Sequence, residues 1–264
     1  MDQLTEQTKS HYEELISSIG EKYIEYRWLN NPISYSHYLQ TKRSVELAFE
    51  IFPEQYENIL EIGCGPGTWT KILLSHCKKL AVVDISERML ETLADKYKGC
   101  DIELNCGDFN SDHIELKRKF NIIFSARAIE YMPDKYKMVM KCKSLLKKNG
   151  GLIIITKNPN WIDKKIHNKN DKENFIHNHW ISHKQLEKIF YAAGLHNVTT
   201  FPACFGSYYP ILNSSISIKM FNFIHRIFFK TKLKFMLELF SESYMTVGLK
   251  RDFHQDNKSV QHRL

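Results

Sequence analysis

Residues 58–68 read NILEIGCGPGT, an apolar run that breaks into glycines at positions 63, 65 and 67. Glycines at alternate positions let a backbone turn tightly and approach a ligand closely. An apolar strand pattern precedes them, and a helical pattern over 68–77 follows. The free amides at the start of such a helix face whatever lies beyond the strand's carboxyl end, which suits an anionic group. A dinucleotide fingerprint, GxGxxG, would need its third glycine at 68, where this chain has Thr68. That makes a nicotinamide-dependent oxidoreductase the weakest of the readings considered.

Outward from this turn the pattern alternates. Residues 80–84 (LAVVD) form a continuous apolar run, as buried parallel strands do. Ser86 is placed to cap a helix over 87–97, its hydroxyl accepting an otherwise unpaired amide. Short strands are expected at 102–105 and 121–125. A helix over 134–148 meets a stop signal in Asn149-Gly150-Gly151, and 152–156 (LIIIT) is the next strand. Ser182 opens a helix ending at Gly194; strands follow at 196–201 and 244–250. Strands alternating with helices of this length predict a parallel sheet covered on both faces, an α/β doubly wound domain. Upstream, Tyr12, Leu15, Ile16, Ile19 and Tyr23 recur at helical spacing, Asn30-Asn31-Pro32 breaks the pattern, and a second helix is expected over 34–52.

The chain has 264 residues, of which 43% are hydrophobic and 25% charged, so bulk disorder is excluded. The net charge of +7 permits anionic partners without demanding them. No apolar run approaches the length of a membrane span. Six cysteines without a CxxC pair and a polar, acid-bearing start (MDQLTEQTKSHYEEL) lead us to expect a reduced, cytoplasmic protein.

In doubly wound sheets ligands bind beyond the carboxyl ends of the strands. There stand Asp84, whose carboxylate could accept two ribose hydroxyls, and Asp108 with Phe109, placed for an adenine. The stretches ILEIGCGPGT, AVVDISERML, CGDF, IIFSARAIEYMPD, LLKKNGGLIIIT and WISHKQLEKIFYAAGL, in that order, resemble the class I S-adenosylmethionine (SAM) dependent methyltransferases. The resemblance covers roughly 59–202 plus the last strand. It implies a seven-stranded, mostly parallel, Rossmann-like sheet whose last strand is antiparallel, and SAM as cofactor with S-adenosylhomocysteine as product. It implies that Glu61, Gly63, Gly65 and Gly67 hold the methionine part, Asp84 the ribose, and Asp108 with Phe109 the adenine.

The acceptor end begins after the fourth strand, at 125–131 (SARAIEY). The Asn/Asp-Pro-Pro-Tyr motif of methylases acting on base amines is missing. So is the Glu-x-x-Glu-His arrangement of the ubiquinone-type O-methyltransferases; Arg127 and Tyr131 stand at the changed positions, and arginine cannot ligate a metal, so no metal is expected. Arg127 could pair a substrate carboxylate or phosphate, or form a salt bridge, with Glu130 as the partner considered. Tyr131 could be a weak base or a sulfonium-facing aromatic. The long loop 157–181 carries His167, His177, His179, Trp161 and Trp180; His177 and His179 are the candidate bases and Trp180 a candidate substrate contact. In the N-terminal helices Tyr35 is a candidate cofactor contact, with Tyr26, Trp28 and Tyr38 as further aromatics, and Arg43 could pair the cofactor carboxylate.

Between the last two strands, Lys219, Asn222, Arg226 and Lys230 share one helical face while Met220, Phe223, Ile224, Ile227 and Phe228 lie away from it. This basic amphipathic pattern over 216–240 fits a cap over the pocket, a peripheral membrane contact or a dimer contact. We therefore divide the chain into a helical lid (1–52), a SAM-binding core (53–206), a helical insertion or cap (207–243), and the last strand with a polar tail (244–264). The expected reaction is methyl transfer to an oxygen of a small polar, carbohydrate-like or lipid-linked metabolite, without nucleic acid. An RNA or protein methyltransferase and a non-catalytic SAM-binding protein are the alternatives.

Overall fold

The structure is a computed structural model that describes residues 3–51, 55–111, 113–162, 179–205, 220 and 240–250. The amphipathic pattern of 216–240 lies outside the described residues apart from Met220 and Phe240, as do His167 and His177. No helix among the described residues is long and apolar enough to cross a membrane.

Seven strands form one sheet: β1 (Tyr56–Ile62), β2 (Cys77–Asp84), β3 (Ile102–Cys106), β4 (Phe120–Ala126), β5 (Leu146–Lys157), β6 (His196–Cys204) and β7 (Ser243–Leu249). Their order is β3-β2-β1-β4-β5-β7-β6. The first five run parallel, and β7 inserts antiparallel between β5 and β6. This is the seven-stranded doubly wound sheet with a reversed seventh strand that the sequence predicted. The order changes direction between β1 and β4, so their carboxyl ends diverge and open a crevice.

Alternation along each strand fills two cores. Ile59, Leu80, Ile122 and Ile153 face one side, where they pack with Val45, Ala48 and Phe49 of helix α2 (Pro32–Ile51). Leu60, Ala81, Ile123 and Ile154 face the other. There they meet Met138 and Val139 of α5 (Lys135–Leu145) and Leu186 and Phe190 of α6 (His183–Ala192). Each fully buried aliphatic contributes about 1.5–3 kcal/mol, so the sheet is anchored on both faces.

Local chemistry sets the element ends. Ser86 caps α4 (Glu87–Lys96) by accepting from the Met89 amide, and Ser182 with Gln185 forms a reciprocal capping box on α6. Pro32 begins α2, two residues before the expected start, because its fixed φ suits the first helical position. Three expectations are corrected. The helix after the glycine turn, α3, spans only Thr70–Leu74, because the chain from Cys77 is drawn into β2, paired with Tyr56. Helix α5 ends at Leu145, and Leu146 joins β5 opposite Phe120 across a register irregularity. Strand β6 continues through Pro202 to Cys204; it is an edge strand, where proline costs no ladder bond on its open side.

Helix α1 (Gln3–Ile19) buries Leu4, Thr5, Thr8 and Ile16, extending the expected stripe toward the N-terminus. A π-helical turn, Glu25–Leu29, joins it to α2. Trp28 packs edge-on against Trp69 at 5.8 Å, and Tyr38 stacks on the same ring at 5.6 Å. The N-terminal helices are thereby pinned to the residues that follow the glycine turn.

Candidate functional site

A cavity lies at the carboxyl ends of β1, β2 and β4, covered by α1 and the π-helical turn. The glycine turn forms its floor. Gly63, at φ +70°, donates its amide to the Val83 carbonyl at 2.8 Å, and a Cβ there would sit 2.3 Å from the Ala128 Cβ. Gly65, at φ +52°, would carry its Cβ into open space on the cavity wall. Beneath them Glu61 is buried and accepts from the Thr70 hydroxyl at 2.7 Å, while its other oxygen has no partner. Burial pushes its carboxyl up to about 8, with Thr70 opposing and Asp84 adding to the shift.

Asp84 ends β2. One carboxylate oxygen accepts from the Gly65 amide at 2.8 Å, the other from the Ser86 amide at 3.0 Å. Burial raises its pKa and these amides counter the rise. An ionised carboxylate has about four acceptor positions, so two remain for a ligand. Asp108 follows β3 and accepts from the Asn110 amide at 2.8 Å. Phe109 lines the cavity, 2% exposed, and the Lys141 ammonium lies 5.0 Å from its ring centre.

The opposite end is built from β4 and the N-terminal segment. Arg127 takes a left-handed backbone (φ +63°), fixed by its amide donating to the Ile155 carbonyl at 2.8 Å. Its guanidinium reaches both oxygens of Glu242, at 3.3 and 2.7 Å, and Lys157 stands 3.4 Å from the same carboxylate. Glu130, considered above as the ion-pair partner of Arg127, instead accepts from the Lys157 amide at 2.9 Å. Burial alone would raise the Glu242 carboxyl; Arg127, Lys157 and His37 together hold it well below the usual carboxylate range. Donor atoms of His37, Cys204 and Glu242 lie within 4.8 Å of one another. Arg127 already occupies both carboxylate oxygens and Lys157 adds a second cation, so that cluster is arranged for charge balance within the protein.

The Tyr12 hydroxyl donates to that of Tyr131 at 2.8 Å. Burial raises both phenols, so each stays protonated near neutrality. As a base Tyr131 would have to ionise against that burial, so the structure favours it as a hydroxyl contact. Tyr35 is exposed, and Arg43 pairs with Glu46 and Glu50 on its own helix; neither lines the cavity. His179 and Trp180 line a separate, shallow depression with Lys135 and Gln185. Trp180 lies over the Lys157 ammonium at 5.0 Å, so it touches the ion-pair group from outside. Sequence reading missed Thr5, Thr8, Tyr12, Tyr23 and Arg27 as cavity residues. Tyr12 and Tyr23 did show in the helical stripe, but a stripe does not distinguish core from cavity. Arg27 had no signal.

Residues 59–150 match the family model described as a methyltransferase domain. Over those residues the chain carries a methyltransferase domain. Among curated proteins, the domain is similar to a malonyl-[acyl-carrier protein] O-methyltransferase of Priestia megaterium, 27% identical over 146 residues, 52% of each chain. It is also similar to a trans-aconitate 2-methyltransferase of Enterobacter sp., 30% identical over 129 residues, 47% of this chain and 49% of that one. The alignment thus spans about half the length of the curated relatives. Among solved structures, N-methyltransferase NodS of Bradyrhizobium japonicum, in complex with S-adenosylhomocysteine, superposes with TM-score 0.57 at 15% identity. That match covers 91% of this chain and 99% of NodS, and it shows a shared fold.

Proposed function

We propose that the chain is a SAM-dependent methyltransferase acting on an oxygen of a small polar acceptor, carbohydrate-like and lipid-linked metabolites included. One observation carries the cofactor assignment: Asp84 is fixed by the Gly65 and Ser86 amides on the cavity wall with acceptor capacity to spare. A ribose diol offers two donors to match it. The other residues fit the same molecule. Asp108 and Phe109 stand where an adenine would need an acceptor and an apolar face. The open space beside Gly65 admits the amino-acid arm. When bound, SAM supplies an electrophilic methyl group on sulfur.

The protein's own task is then positioning. Holding two groups in a reactive geometry can remove roughly 7–11 kcal/mol of barrier. The π-helical turn and α1 cover part of the cavity, while Tyr12 and Tyr131 present hydroxyls at its far end. Two curated relatives are named for O-methylation of malonyl-acyl carrier protein and for trans-aconitate, which supports a small oxygen acceptor. The deciding experiment is calorimetric titration of SAM and S-adenosylhomocysteine into the wild type and Asp84→Ala. Binding to the wild type, lost in a folded variant, is the expected result. A folded wild type that binds neither ligand removes the reading.

A further inference from the structure

The two ends of the cavity carry opposite charge. Asp84 and Asp108 line one end; Arg27 and Arg127 line the other. Arg127 is already matched by Glu242, and Lys157 behind it meets the same carboxylate. Arg27 is different. Among the described residues its guanidinium has no acid within ion-pair distance and rests over the Trp28 ring at 5.5 Å. It projects from the π-helical turn, a widened turn often found at functional sites. One positive charge is therefore unmatched at the end where the acceptor must enter.

Among the described residues no histidine and no lysine lines the cavity. Tyr12 and Tyr131 are hydrogen-bonded to each other and held protonated. Burial pushes the Tyr23 phenol up to about 12 despite nearby Arg27. Among the described residues, an alcohol acceptor would meet no histidine or lysine to take its proton. An amine, protonated near neutrality, would be repelled by Arg27.

We propose that the acceptor is a small carboxylic acid, that Arg27 holds one oxygen of its carboxylate, and that the other oxygen takes the methyl group. This rests on the methyltransferase reading above. The acceptor's lone pair forms the new O–C bond as the methyl–sulfur bond breaks and its electron pair stays on sulfur. The products are a methyl ester and a neutral thioether, and no proton moves. A single unmatched guanidinium suits a carboxylate group, one oxygen of which can accept a charge-assisted hydrogen bond while the other stays free as the nucleophile.

The test compares wild type, Arg27→Met and Arg27→Lys, all exposed-site changes that leave the core untouched. Each is titrated with S-adenosylhomocysteine, then the loaded protein with malonate and trans-aconitate, using dimethyl malonate and methylphosphonate as controls. We expect S-adenosylhomocysteine affinity to stay within threefold. Carboxylate affinity should fall at least tenfold in Arg27→Met and partly recover in Arg27→Lys. Methyl label transferred to these acids should be released as methanol by mild base. The inference is overturned if loaded wild type ignores both acids, if it prefers the phosphonate, or if the label is base-stable. It is also overturned if Arg27→Met loses tenfold in S-adenosylhomocysteine affinity, because Arg27 would then serve the cofactor's own carboxylate. A wild type that fails to bind S-adenosylhomocysteine sinks the underlying reading instead.

Discussion

Arg127 and Glu242 meet in a two-point ion pair at 3.3 and 2.7 Å, joining the turn after β4 to the residue before β7, 115 positions away. The Glu242 side chain is 2% exposed and that of Arg127 12%, so the pair is screened little by water. The Glu242 carbonyl accepts from the Asn158 amide and its amide donates to Cys204, so the same residue ties together the ends of β5 and β6. Where the chain returns to form its last strand, this carboxylate holds Arg127, which lines the cavity.

Glu242→Gln leaves two largely buried cations, Arg127 and Lys157, without their counter-charge. Breaking a buried pair from one side costs about 3–5 kcal/mol, so the variant should lose that much in urea denaturation. Replacing all three members, as in Arg127→Met, Lys157→Met and Glu242→Leu, should cost much less. Equal losses for the single and the triple change would show that the group contributes packing alone. The pH dependence has a definite sign. A carboxyl held low when folded adds stability above its unfolded pKa, and that stability is lost as pH falls through the folded value. Wild type should therefore lose stability faster than Glu242→Gln on acidification below about pH 5.

Glu61 behaves in the opposite sense. Burial lifts its carboxyl to about 8 when folded, against roughly 4.3 for a solvated glutamate. Its contribution is complete below the lower value, falls as pH rises between the two, and levels off above the higher one. Ligand-free wild type should lose stability between pH 5 and pH 8 more steeply than Glu61→Gln. Thermal melts of both proteins across that range decide it; parallel curves would place the Glu61 proton elsewhere.

Much of this was legible in the sequence, and the pattern of success is physical. Asp84 could be placed because it directly follows a local apolar run, and Asp108 because Gly107 before it marks the end of a short strand. The capping of α4 and α6 could be placed because a serine and its amide are near neighbours in sequence. Tyr35 and Arg43 could not: a helix of 20 residues presents side chains in every direction, and only packing decides which face turns inward. Glu242 was invisible for a different reason. Its partner is brought to it by strand order, and no local pattern encodes a pairing across 115 residues.

Tyr131 offers a test of catalytic role. If its hydroxyl only contacts the acceptor, Tyr131→Phe should lower kcat less than about tenfold and leave the pH–rate profile unchanged. A positioned base contributes about 10²–10⁴-fold. A loss of that size, together with loss of the rise in rate with pH, would assign Tyr131 the proton-accepting role that its burial argues against.

The glycine turn separates folding from ligand binding. Both Gly63 and Gly65 hold positive φ, so alanine at either position costs about 1–2 kcal/mol in backbone strain. At Gly63 the added Cβ would also strike Ala128 at 2.3 Å, forcing the turn after β4 away from β1. Gly63→Ala should therefore be the less stable protein by a clear margin. At Gly65 the Cβ meets nothing within 4 Å, so the strain stands alone. That methyl group would occupy the space where the ligand backbone must approach, and it would crowd the amide that orients Asp84. Gly65→Ala should keep most of its stability and lose S-adenosylhomocysteine affinity by at least tenfold. Denaturation and calorimetry on the two variants give a crossed result if the turn is built as described. If Gly65→Ala binds as wild type does, the ligand does not pass this glycine and the cavity's orientation must be reassigned.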